Sequence, residues 1–423
     1  MLQINYIREH KEQVIKGLKK KYFAEASEKV EEILQVDQAR RETQHSLDHL
    51  QSEANQKAKA IGELMKAGKK DEAEAEKKNA TDLRNQTKDL QDFLNTKETE
   101  LIDLLVKLPN LPHSSVPDGR TAEENENIYS AGVIPSLYDG AQPHWELIKK
   151  YDIIDFELGV KITGAGFPVY KNKGARLQRA LINFFLDEAV KAGYVEVQPP
   201  ILVNEASGFG TGQLPDKEGQ MYFAGEDKLY LIPTAEVPIT NMYRDVILKE
   251  EDLPVKNTGY TPCFRREAGA WGADVRGLNR LHQLDKVEIV QIALPEQSYR
   301  LLDDMKNHIQ GLLEKLELPF PILRLCSGDM SFTSALTFDF EVFSAAQKRW
   351  LEVSSVSNFE TYQASRLKLR YKTEGKTQLL HTLNGSALAL PRIVAAILEN
   401  NQTPEGIRIP KVLQSYTGFD LIQ

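Results

Sequence analysis

Residues 27 to 108 contain no proline, and this uninterrupted stretch constrains the fold of the chain more than any other feature. From residue 47 to residue 65, apolar side chains recur at intervals of three and four, which is the spacing of a coiled coil. The pattern begins again over residues 80 to 108, after a segment at 67 to 70 whose composition is typical of a chain reversal. The stretch therefore predicts an antiparallel pair of long helices, each on the order of 55 Å in length.

A polar segment with several prolines follows at residues 109 to 140, and its composition is typical of a linker. We therefore expect a domain boundary near residue 110, with a helical hairpin over residues 1 to 110 and a second domain over residues 111 to 423. In the second domain, helical patterns at residues 175 to 192 and 297 to 316 are interspersed with strand-like runs.

The strand-like runs mostly follow one another without a helical crossover, which favours antiparallel pairing. They lie at residues 195 to 197, 228 to 231, 287 to 291, 337 to 342 and 350 to 355. The predicted fold class is thus α+β, with an antiparallel sheet flanked by helices and an N-terminal antiparallel coiled-coil hairpin.

Composition excludes several classes of protein. The chain has 423 residues and is 41% hydrophobic, which is enough for a sizeable core. Only Cys263 and Cys326 are present, so we expect two buried thiols in a reducing, cytoplasmic compartment and no zinc site. No run is apolar enough to span a membrane. A formal net charge of -8 argues against indiscriminate nucleic-acid binding, so any RNA contact is expected to be local.

Residues 264 to 288 hold the densest group of side chains suited to phosphate chemistry. Arg265 and Glu267 alternate along an apparent strand and are expected on one face. Three glycines allow the backbone to fold back toward a second strand at residues 281 to 289, at positions 269, 272 and 277. An arginine fork can clamp a phosphate with two hydrogen bonds. The alternative is a surface hairpin with ordinary ion pairs.

Two further segments carry patterns that bear on the same kind of site as residues 264 to 288. Residues 385 to 392 begin with mostly small side chains and lead into a helical pattern, with Pro391 suited to the first helical position and Arg392 in the first turn. A helix start also supplies backbone donors for an anion, although the segment alone could be a packing turn. The helix predicted at 175 to 192 is followed by a short strand that ends at Pro199 and Pro200.

These three segments resemble motifs 2, 3 and 1 of the class II aminoacyl-tRNA synthetases in their seryl form, and their order along the chain matches that family. The N-terminal hairpin resembles the arm with which bacterial-type seryl-tRNA synthetases grip the long variable arm and elbow of the tRNA. The resemblance implies a class II catalytic domain over residues 111 to 423. Such a domain activates L-serine with ATP and transfers it to tRNA(Ser), with tRNA(Sec) as a further candidate, and works as a homodimer without a membrane.

The resemblance also implies roles for individual residues. Catalysis is assigned to Arg265, Glu267 and Arg392. The serine pocket is assigned to Thr234, Ala235, Glu236, Arg265, Glu288, Asn384 and Ser386. ATP contacts are assigned to Arg265, Arg266, Glu267, Leu281, Leu284, Glu352, Val353, Ser354, Ser355 and Arg392. The tRNA contacts are assigned to lysines near the tip of the arm, Lys57, Lys59, Lys66, Lys69, Lys70, Lys77 and Lys78.

A divalent ion, Mg²⁺, accompanies ATP in the family and is assigned to Glu352 and Ser355. A regular strand would place these two side chains on opposite faces, so a local bend at Ser354 and Ser355 is implied. Simpler explanations exist for each smaller piece: Thr234 could be a helix N-cap, the serine-rich segment a polar edge strand, and the lysines a solvated helical face.

The chain departs from the family at two positions. Leu284 occupies the place of the phenylalanine on which adenine usually stacks, so the aromatic contribution to ATP binding is lost. Pro391 precedes Arg392 where glycine is commoner. Two other functions remain open at this stage. One is a synthetase-like ligase that loads a carrier protein, and the other is a coiled-coil interaction protein with an inactive enzyme body.

Overall fold

A computed structural model of the chain describes residues 1 to 216, 219 to 267 and 276 to 423. By its internal contacts the chain divides into two compact units, one formed by Leu2–Pro109 and the other by Asn110–Gln423 together with Met1. Gly269 and Gly272, two of the glycines expected to reverse the chain, lie outside the described residues.

The N-terminal unit is entirely helical in its regular structure. Its helices are α1 (Ile4–Glu9), α2 (Lys11–Lys20), α3 (Ala26–Lys66) and α4 (Lys70–Leu105). The predicted antiparallel hairpin is confirmed, and the chain reverses between Lys66 and Lys70 as the sequence indicates. With 41 residues, α3 is roughly 60 Å long at 1.5 Å per residue.

Burial along the hairpin is uneven. Near the base, Val30, Ile33 and Leu47 of α3 are buried, and α1 and α2 pack against this part of the helix. Toward the tip, the predicted apolar positions are only half buried or exposed, and Met65 keeps 48% of its surface. Two helices alone cannot surround a side chain, so this end is held by pairing of α3 with α4 and carries no core of its own.

The remaining helices belong to the second unit. They are α5 (His144–Lys150), α6 (Phe156–Ile162), α7 (Asn172–Lys191), α8 (Glu205–Thr211), α9 (Glu236–Asn241), α10 (Ser298–Lys315), α11 (Thr361–Leu367), α12 (Leu390–Asn400) and α13 (Gln414–Thr417). Short 3-10 turns occur at Ala122–Glu124, Glu250–Asp252, Pro295–Gln297 and Lys411–Leu413. The helices predicted at 175 to 192 and 297 to 316 correspond to α7 and α10.

The strands of this unit are, in chain order, β1 (Glu126–Ala131), β2 (Ile154–Asp155), β3 (Val169–Tyr170), β4 (Val195–Glu196), β5 (Leu202–Val203), β6 (Phe223–Ala224), β7 (Leu229–Leu231), β8 (Ile247–Lys249), β9 (Val255–Phe264), β10 (Gln283–Ala293), β11 (Phe320–Arg324), β12 (Leu336–Ser344), β13 (Arg349–Glu360), β14 (Arg370–Thr373), β15 (Lys376–Leu379), β16 (His381–Ala389), β17 (Gln402–Thr403), β18 (Gly406–Arg408) and β19 (Leu421–Ile422). All five predicted strands are present.

Within the described residues, eight strands form the main sheet in the order β1, β11, β12, β13, β16, β10, β9, β4. Every neighbouring pair is antiparallel except β4 with β9. The predicted antiparallel sheet is therefore confirmed. One expectation was wrong: residues 109 to 140 are not all linker, since Glu126–Ala131 pairs with β11 at the sheet edge. Its side chains are mostly exposed, so its sequence carries no hydrophobic alternation.

One face of the sheet forms the core with α7, α10 and α12. Val287 and Ile289 of β10 point into this core beside Phe184 of α7 and Met305 of α10. Because side chains alternate along a strand, Lys286 and Glu288 of β10 face the other way. On that second face Val290 packs against Ala235 and Ile239, whereas Lys286 and Glu288 line an open cavity.

Cys263 and Cys326 are both free thiols and both buried. None of the helices in the described residues combines the length and the apolar character that crossing a membrane requires.

Candidate active site

A cavity of about 580 Å³ lies on the open face of the main sheet. Its floor comes from β10, β13 and β16, and its walls come from the start of α12 and from the segments that flank β9 and β10. Predicted site residues line it from every side: Thr234, Glu236, Arg265, Glu267, Leu281, Leu284, Glu288, Glu352, Val353, Ser354, Ser355, Asn384, Ser386 and Arg392. The residues that line it come from separate segments between Gln213 and Arg392.

A carboxylate at the centre of the floor collects several donors. Glu288 Oε2 accepts a hydrogen bond from Thr234 Oγ1 at 2.9 Å and forms an ion pair with Lys286 Nζ at 2.5 Å, and Oε1 lies 3.4 Å from Asn384 Nδ2. Ser386 is the direct partner of Glu288 across the β10 and β16 ladder, so both side chains lie on one face. Thr234 is occupied by this cluster, and Ala235, not Thr234, is the N-cap of α9.

A second carboxylate, Glu236, is buried at the start of α9. Its Oε1 accepts a hydrogen bond of 2.6 Å from Gln363 Nε2, and Gln363 Oε1 in turn accepts one of 2.7 Å from Thr382 Oγ1. Burial raises the pKa of Glu236 to about 7, and the nearby charge of Glu288 adds to the increase. The cavity thus contains one carboxylate that is paired with a lysine and one that titrates near neutrality.

Two of the arginines that line the cavity, Arg265 and Arg392, are held by backbone carbonyl groups. Arg265 Nε donates to the carbonyl of Pro233 at 3.3 Å, while Arg392 donates from Nε to Asn279 at 2.9 Å and from Nη1 to Glu352 at 2.6 Å. In the described part of the chain, neither arginine forms an ion pair with a carboxylate. Carbonyl groups orient a guanidinium without neutralising it, so both charges remain available to an anionic ligand.

The strand that carries Arg265 and Glu267 is shorter than predicted. Strand β9 ends at Phe264, and Glu267 has a left-handed backbone with φ of 50°. Arg265 continues the ladder for one further bond, from its N–H to the carbonyl of His282 at 2.9 Å. Glu267 still lines the cavity and forms an ion pair of 2.7 Å with Arg280. The two residues therefore reach the same cavity, but not through strand alternation.

The region around Glu352 contains the irregularity that the metal assignment requires. Across β12 and β13, Phe340 pairs with Ser354 but Glu341 pairs with Glu352, so Val353 is an extra residue and forms a bulge. The bend thus lies one residue before the predicted position. As a result Ser355 Oγ lies 3.3 Å from Glu352 Oε1, on one face of the sheet.

Further carboxyl groups lie beside this pair. Burial raises the pKa of Asp339, and Glu352 adds to the effect; burial and Glu352 likewise raise the pKa of Glu341. Asp339 Oδ1 is buried and has no hydrogen-bond partner among the residues described. Hard oxygen donors that repel one another suit a cation such as Mg²⁺. No cluster of three or more His, Cys, Asp or Glu side chains in the described ranges is arranged to hold a metal.

Comparisons with known proteins agree with this geometry. Residues 222 to 401 match the model of the tRNA synthetase class II core domain (G, H, P, S and T), and residues 1 to 112 match that of the seryl-tRNA synthetase N-terminal domain. The serine–tRNA ligase of Salinibacter ruber is 48% identical over 99% of this chain and 98% of its own length. The chain belongs to the seryl-tRNA synthetase family. The serine–tRNA ligase of Akkermansia muciniphila is 45% identical over 100% of this chain and 99% of its own.

Solved structures show the same relationship. The seryl-tRNA synthetase of Pyrococcus horikoshii, complexed with ATP, has a TM-score of 0.92 and 33% identity over 100% of this chain and 99% of that chain. The cytoplasmic serine–tRNA ligase of Naegleria fowleri, in complex with AMP, has a TM-score of 0.86 and 26% identity over 100% and 99%. This member of the seryl-tRNA synthetase family is therefore a class II enzyme that activates serine and charges tRNA.

Two of the assigned residues do not reach the cavity. Ala235 is fully buried and packs with Ile239 and Val290 beneath it. The backbone N–H of Arg266 donates to Gln220, and its guanidinium lies 5.9 Å from the ring centre of Tyr222, outside the set of lining residues. The other assigned residues of the seryl-tRNA synthetase motifs meet in one place.

The two departures from the family also lie at the cavity. Leu284 lines it with an aliphatic side chain that packs partly against the core. Pro391 is the second residue of α12, where a missing N–H costs no hydrogen bond and the fixed φ suits the first turn. The substitution by Pro391 therefore leaves Arg392 in the first turn of the helix.

The seven lysines assigned to the arm differ in their partners. Lys57, Lys69 and Lys77 pair with Glu76, Glu72 and Glu74 at 3.2, 2.9 and 3.0 Å. The other four are exposed and have no ion pair within the described residues, namely Lys59, Lys66, Lys70 and Lys78. Of the seven, these four lysines therefore keep a charge that is not paired.

Sequence reasoning missed three residues that complete the site. Lys286 could have been found, because it alternates with Glu288 on one strand and must share its face. Asn279 gives no signal in the sequence, because it is its backbone carbonyl that orients Arg392. Gln363 gives no local signal, because only the tertiary structure brings α11 close to α9.

Proposed function

We propose that the cavity binds serine and ATP side by side and assembles seryl-adenylate. The observation that carries the proposal is the meeting of two unpaired arginines, two buried carboxylates and several hydroxyl groups in one cavity of about 580 Å³. Arg265 is assigned to the substrate carboxylate and the α-phosphate, Glu267 to the adenine, and Arg392 to the γ-phosphate.

In this assignment a serine carboxylate oxygen attacks the α-phosphorus of ATP, and the bond to pyrophosphate breaks. A terminal adenosine hydroxyl of the tRNA then attacks the seryl carbonyl, and AMP leaves. No protein nucleophile is needed, so the arginines act by positioning and by stabilising the negative charge that develops on pyrophosphate. Mg²⁺ held by Glu352 and Ser355 would supply further neutralisation of the phosphate charge.

Serine selection is assigned to Thr234, Glu236, Glu288, Asn384 and Ser386. Their carboxylates and hydroxyls can pair with the ammonium and the side-chain hydroxyl of serine. Alanine would leave those buried groups without partners, which is a large penalty, and threonine must be excluded by size. We expect ATP–pyrophosphate exchange with serine to exceed exchange with alanine, threonine and glycine by orders of magnitude. Comparable exchange with alanine would overturn the assignment.

For the N-terminal unit we propose a tRNA-binding arm that recognises tRNA(Ser) through its variable arm and elbow. The supporting observations are the length of α3 and α4, which exceeds what their packing requires, and the four unpaired lysines near the tip. The same mode of recognition would admit tRNA(Sec), and charging of a purified tRNA(Sec) transcript tests that extension. The two buried free thiols support a reducing compartment, so we assign the enzyme to the cytoplasm.

We further propose that the enzyme is a homodimer. Strand β4 is the end of the main sheet, and Val195 on it keeps 63% of its surface exposed, with Val190 of α7 at 47%. An uncovered edge that carries β-branched residues is prone to pair with another chain. The segment that resembles motif 1 of the family includes β4 and so lies at this edge. We therefore propose a second copy of this chain as the partner.

The rival functions have less support. A ligase that loads a carrier protein does not need the long N-terminal arm, which matches the seryl-tRNA synthetase N-terminal domain. An inactive enzyme body would not keep two arginines free of ion pairs and a buried carboxylate near neutrality within one cavity.

A further inference from the structure

A buried histidine and glutamate form a pair behind the active-site cavity, and the assignments above give them no role. His144, the first residue of α5, and Glu399, near the end of α12, are both fully buried. His144 Nδ1 lies 2.7 Å from Glu399 Oε1, and the backbone N–H of His144 donates to the same oxygen at 2.9 Å. Neither residue lines the cavity.

The hydrogen bonds fix the state of the imidazole. His144 Nε2 accepts a hydrogen bond of 2.8 Å from the backbone N–H of Leu278, so this nitrogen carries no proton and Nδ1 donates to Glu399. Burial raises the pKa of Glu399, but the hydrogen bonds from His144 and Ser344 outweigh it and lower the pKa overall. A carboxylate thus holds a neutral histidine in the one tautomer that can accept from Leu278.

Successive residues of α5 contact successive residues at the end of the motif 2 loop. An added Cβ on Gly277 would lie 2.3 Å from His144 Nε2, and Gly277 has a φ of 63°, so only glycine permits this approach. The Arg276 guanidinium lies 4.4 Å from the ring centre of Trp145 and 3.7 Å from Glu146. Residues 144 to 146 at the start of α5 therefore form a packing surface, here called the seat, that holds residues 276 to 278 in place.

The seat is connected to Arg392 through the next residue of the loop. The carbonyl of Asn279 accepts a hydrogen bond from Arg392 Nε at 2.9 Å. The side chain of Asn279 bonds Gln347 twice: Nδ2 donates to Gln347 Oε1 at 2.9 Å, and Oδ1 accepts from Gln347 Nε2 at 3.4 Å. Gln347 Nε2 donates to Glu399 Oε1 at 3.1 Å. Asn279 is thus held on one side by Leu278 and His144, and on the other by Gln347 and Glu399.

We propose that His144 and Glu399 are positioning residues for adenylation: they seat Leu278 and Asn279 so that the Asn279 carbonyl aims the Arg392 guanidinium at the ATP phosphates. The inference rests on the proposed assignment of Arg392 to ATP. If Arg392 acts by orienting the ATP phosphates, the rate is sensitive to small displacements of its guanidinium. A shift of about 1 Å can cost on the order of 100-fold in rate.

The test is a double-mutant cycle measured by ATP–pyrophosphate exchange in the full-length enzyme. His144→Phe keeps a ring but loses both nitrogens, and we expect it to lower kcat/KM for ATP by roughly 10- to 100-fold while the KM for serine stays within about twofold. In the Arg392→Ala background the same change should cost less than about threefold, because the residue through which it acts is gone. Full additivity would overturn the inference.

Two further variants keep the test decisive if His144→Phe folds poorly. Gly277→Ala leaves both members of the buried pair chemically intact but adds a methyl group that collides with His144 Nε2, so it should produce the same selective loss for ATP and the same coupling to Arg392. Glu399→Gln keeps an acceptor for His144, so it should retain most activity where Glu399→Leu does not. If Gly277→Ala leaves ATP kinetics unchanged, the seat does not position Arg392.

The matched control is His381→Phe, which removes another buried histidine whose Nδ1 bonds to Ser298 Oγ at 2.8 Å, away from the loop. It should lower the melting temperature and remain additive with Arg392→Ala. The outcomes separate the two proposals. If Arg392→Ala alone leaves exchange intact, the assignment of Arg392 fails; if Arg392→Ala is impaired but the cycle is additive, only the role of His144 and Glu399 fails.

Discussion

At the residue scale, the partners of a charged group decide whether it is structural or functional. Arg265 and Arg392 could have been ordinary members of surface ion pairs, which is the commoner situation for an exposed arginine next to a glutamate. Instead, each donates to backbone carbonyl groups, and neither forms an ion pair with a carboxylate of the described residues. A guanidinium that is oriented but unpaired can bind an anionic ligand without first breaking an ion pair.

This arrangement predicts how arginine substitutions behave. Arg265→Ala or Arg392→Ala should lower pyrophosphate exchange by on the order of 100- to 1000-fold, because each removes a preorganised donor for developing charge. Arg→Lys should restore little, since lysine keeps the charge but loses the two-pronged geometry. The melting temperature, measured on the same preparations, should change little. A large loss of thermal stability with near-normal exchange in the folded fraction would show that the arginines are structural.

Glu236 gives a pH prediction at the same scale. Burial raises its pKa to about 7, so the group is an acid whose ionised form dominates only above that pH. If the carboxylate binds the serine ammonium, the KM for serine should fall as pH rises through 7, and should increase about tenfold per unit at lower pH. Glu236→Gln should raise the KM for serine and flatten this dependence. The KM for ATP serves as the internal control and should not follow the same curve.

At the element scale, the hairpin of α3 and α4 is longer than its own packing explains. The base is stabilised by buried residues such as Val30 and Leu47, whereas the distal half has few buried side chains and several unpaired lysines. An element that costs conformational entropy without adding core must be retained for what its surface contacts. Electrostatic contact with a phosphate backbone fits both the exposure and the charge of the tip.

The arm therefore predicts a separation of the two half-reactions. Replacing residues 45 to 95 with a short turn should leave pyrophosphate exchange near normal, while charging of tRNA collapses. The milder change Lys66→Glu with Lys70→Glu should raise the KM for tRNA and reduce the slope of binding against salt by about one per lost phosphate contact. The matched control, Lys372→Glu with Lys376→Glu, reverses the same charge on the exposed hairpin of β14 and β15. An equal effect from both pairs would contradict a specific role for the tip.

At the scale of the whole molecule, the main sheet works as a frame that brings distant residues to one face. Glu288 and Ser386 are neighbours because β10 pairs with β16, and Glu352 joins them because β13 pairs with β16 on its other side. The same sheet ends in β4, whose exposed edge carries Val195. The frame thus organises both the cavity and the surface to which we assign dimerisation.

Dimerisation through this edge can be tested with one charge. Val195→Asp places a carboxylate at the centre of the proposed interface, and light scattering should then report a mass near the 47.8 kDa of one chain instead of about twice that value. Met242→Asp is the control, because Met242 is also an exposed apolar residue at 47% but does not lie on β4. A dimer that survives Val195→Asp but not Met242→Asp would move the interface elsewhere.

The sequence by itself determined the elements whose signals are local. Coiled-coil spacing predicted α3 and α4, short apolar runs predicted the main strands, and the order of three motifs pointed to the family. The polar edge strand β1 was not predicted, because an exposed strand shows no alternation between a buried and a solvated face. The strand end at Phe264 was also missed, since residue alternation cannot indicate where hydrogen bonding stops.

Only the tertiary structure decided which side chains meet. The contact of Gln363 with Glu236 and the close approach of His144 to Gly277 join segments that are far apart in the chain, and the bulge at Val353 is set by the register between β12 and β13. None of these contacts follows from local propensity, because each depends on strand register and on how helices pack over the sheet. Residue types and spacing specify which chemistry is possible. The fold specifies which of those groups share a cavity, and which arginines keep a free charge.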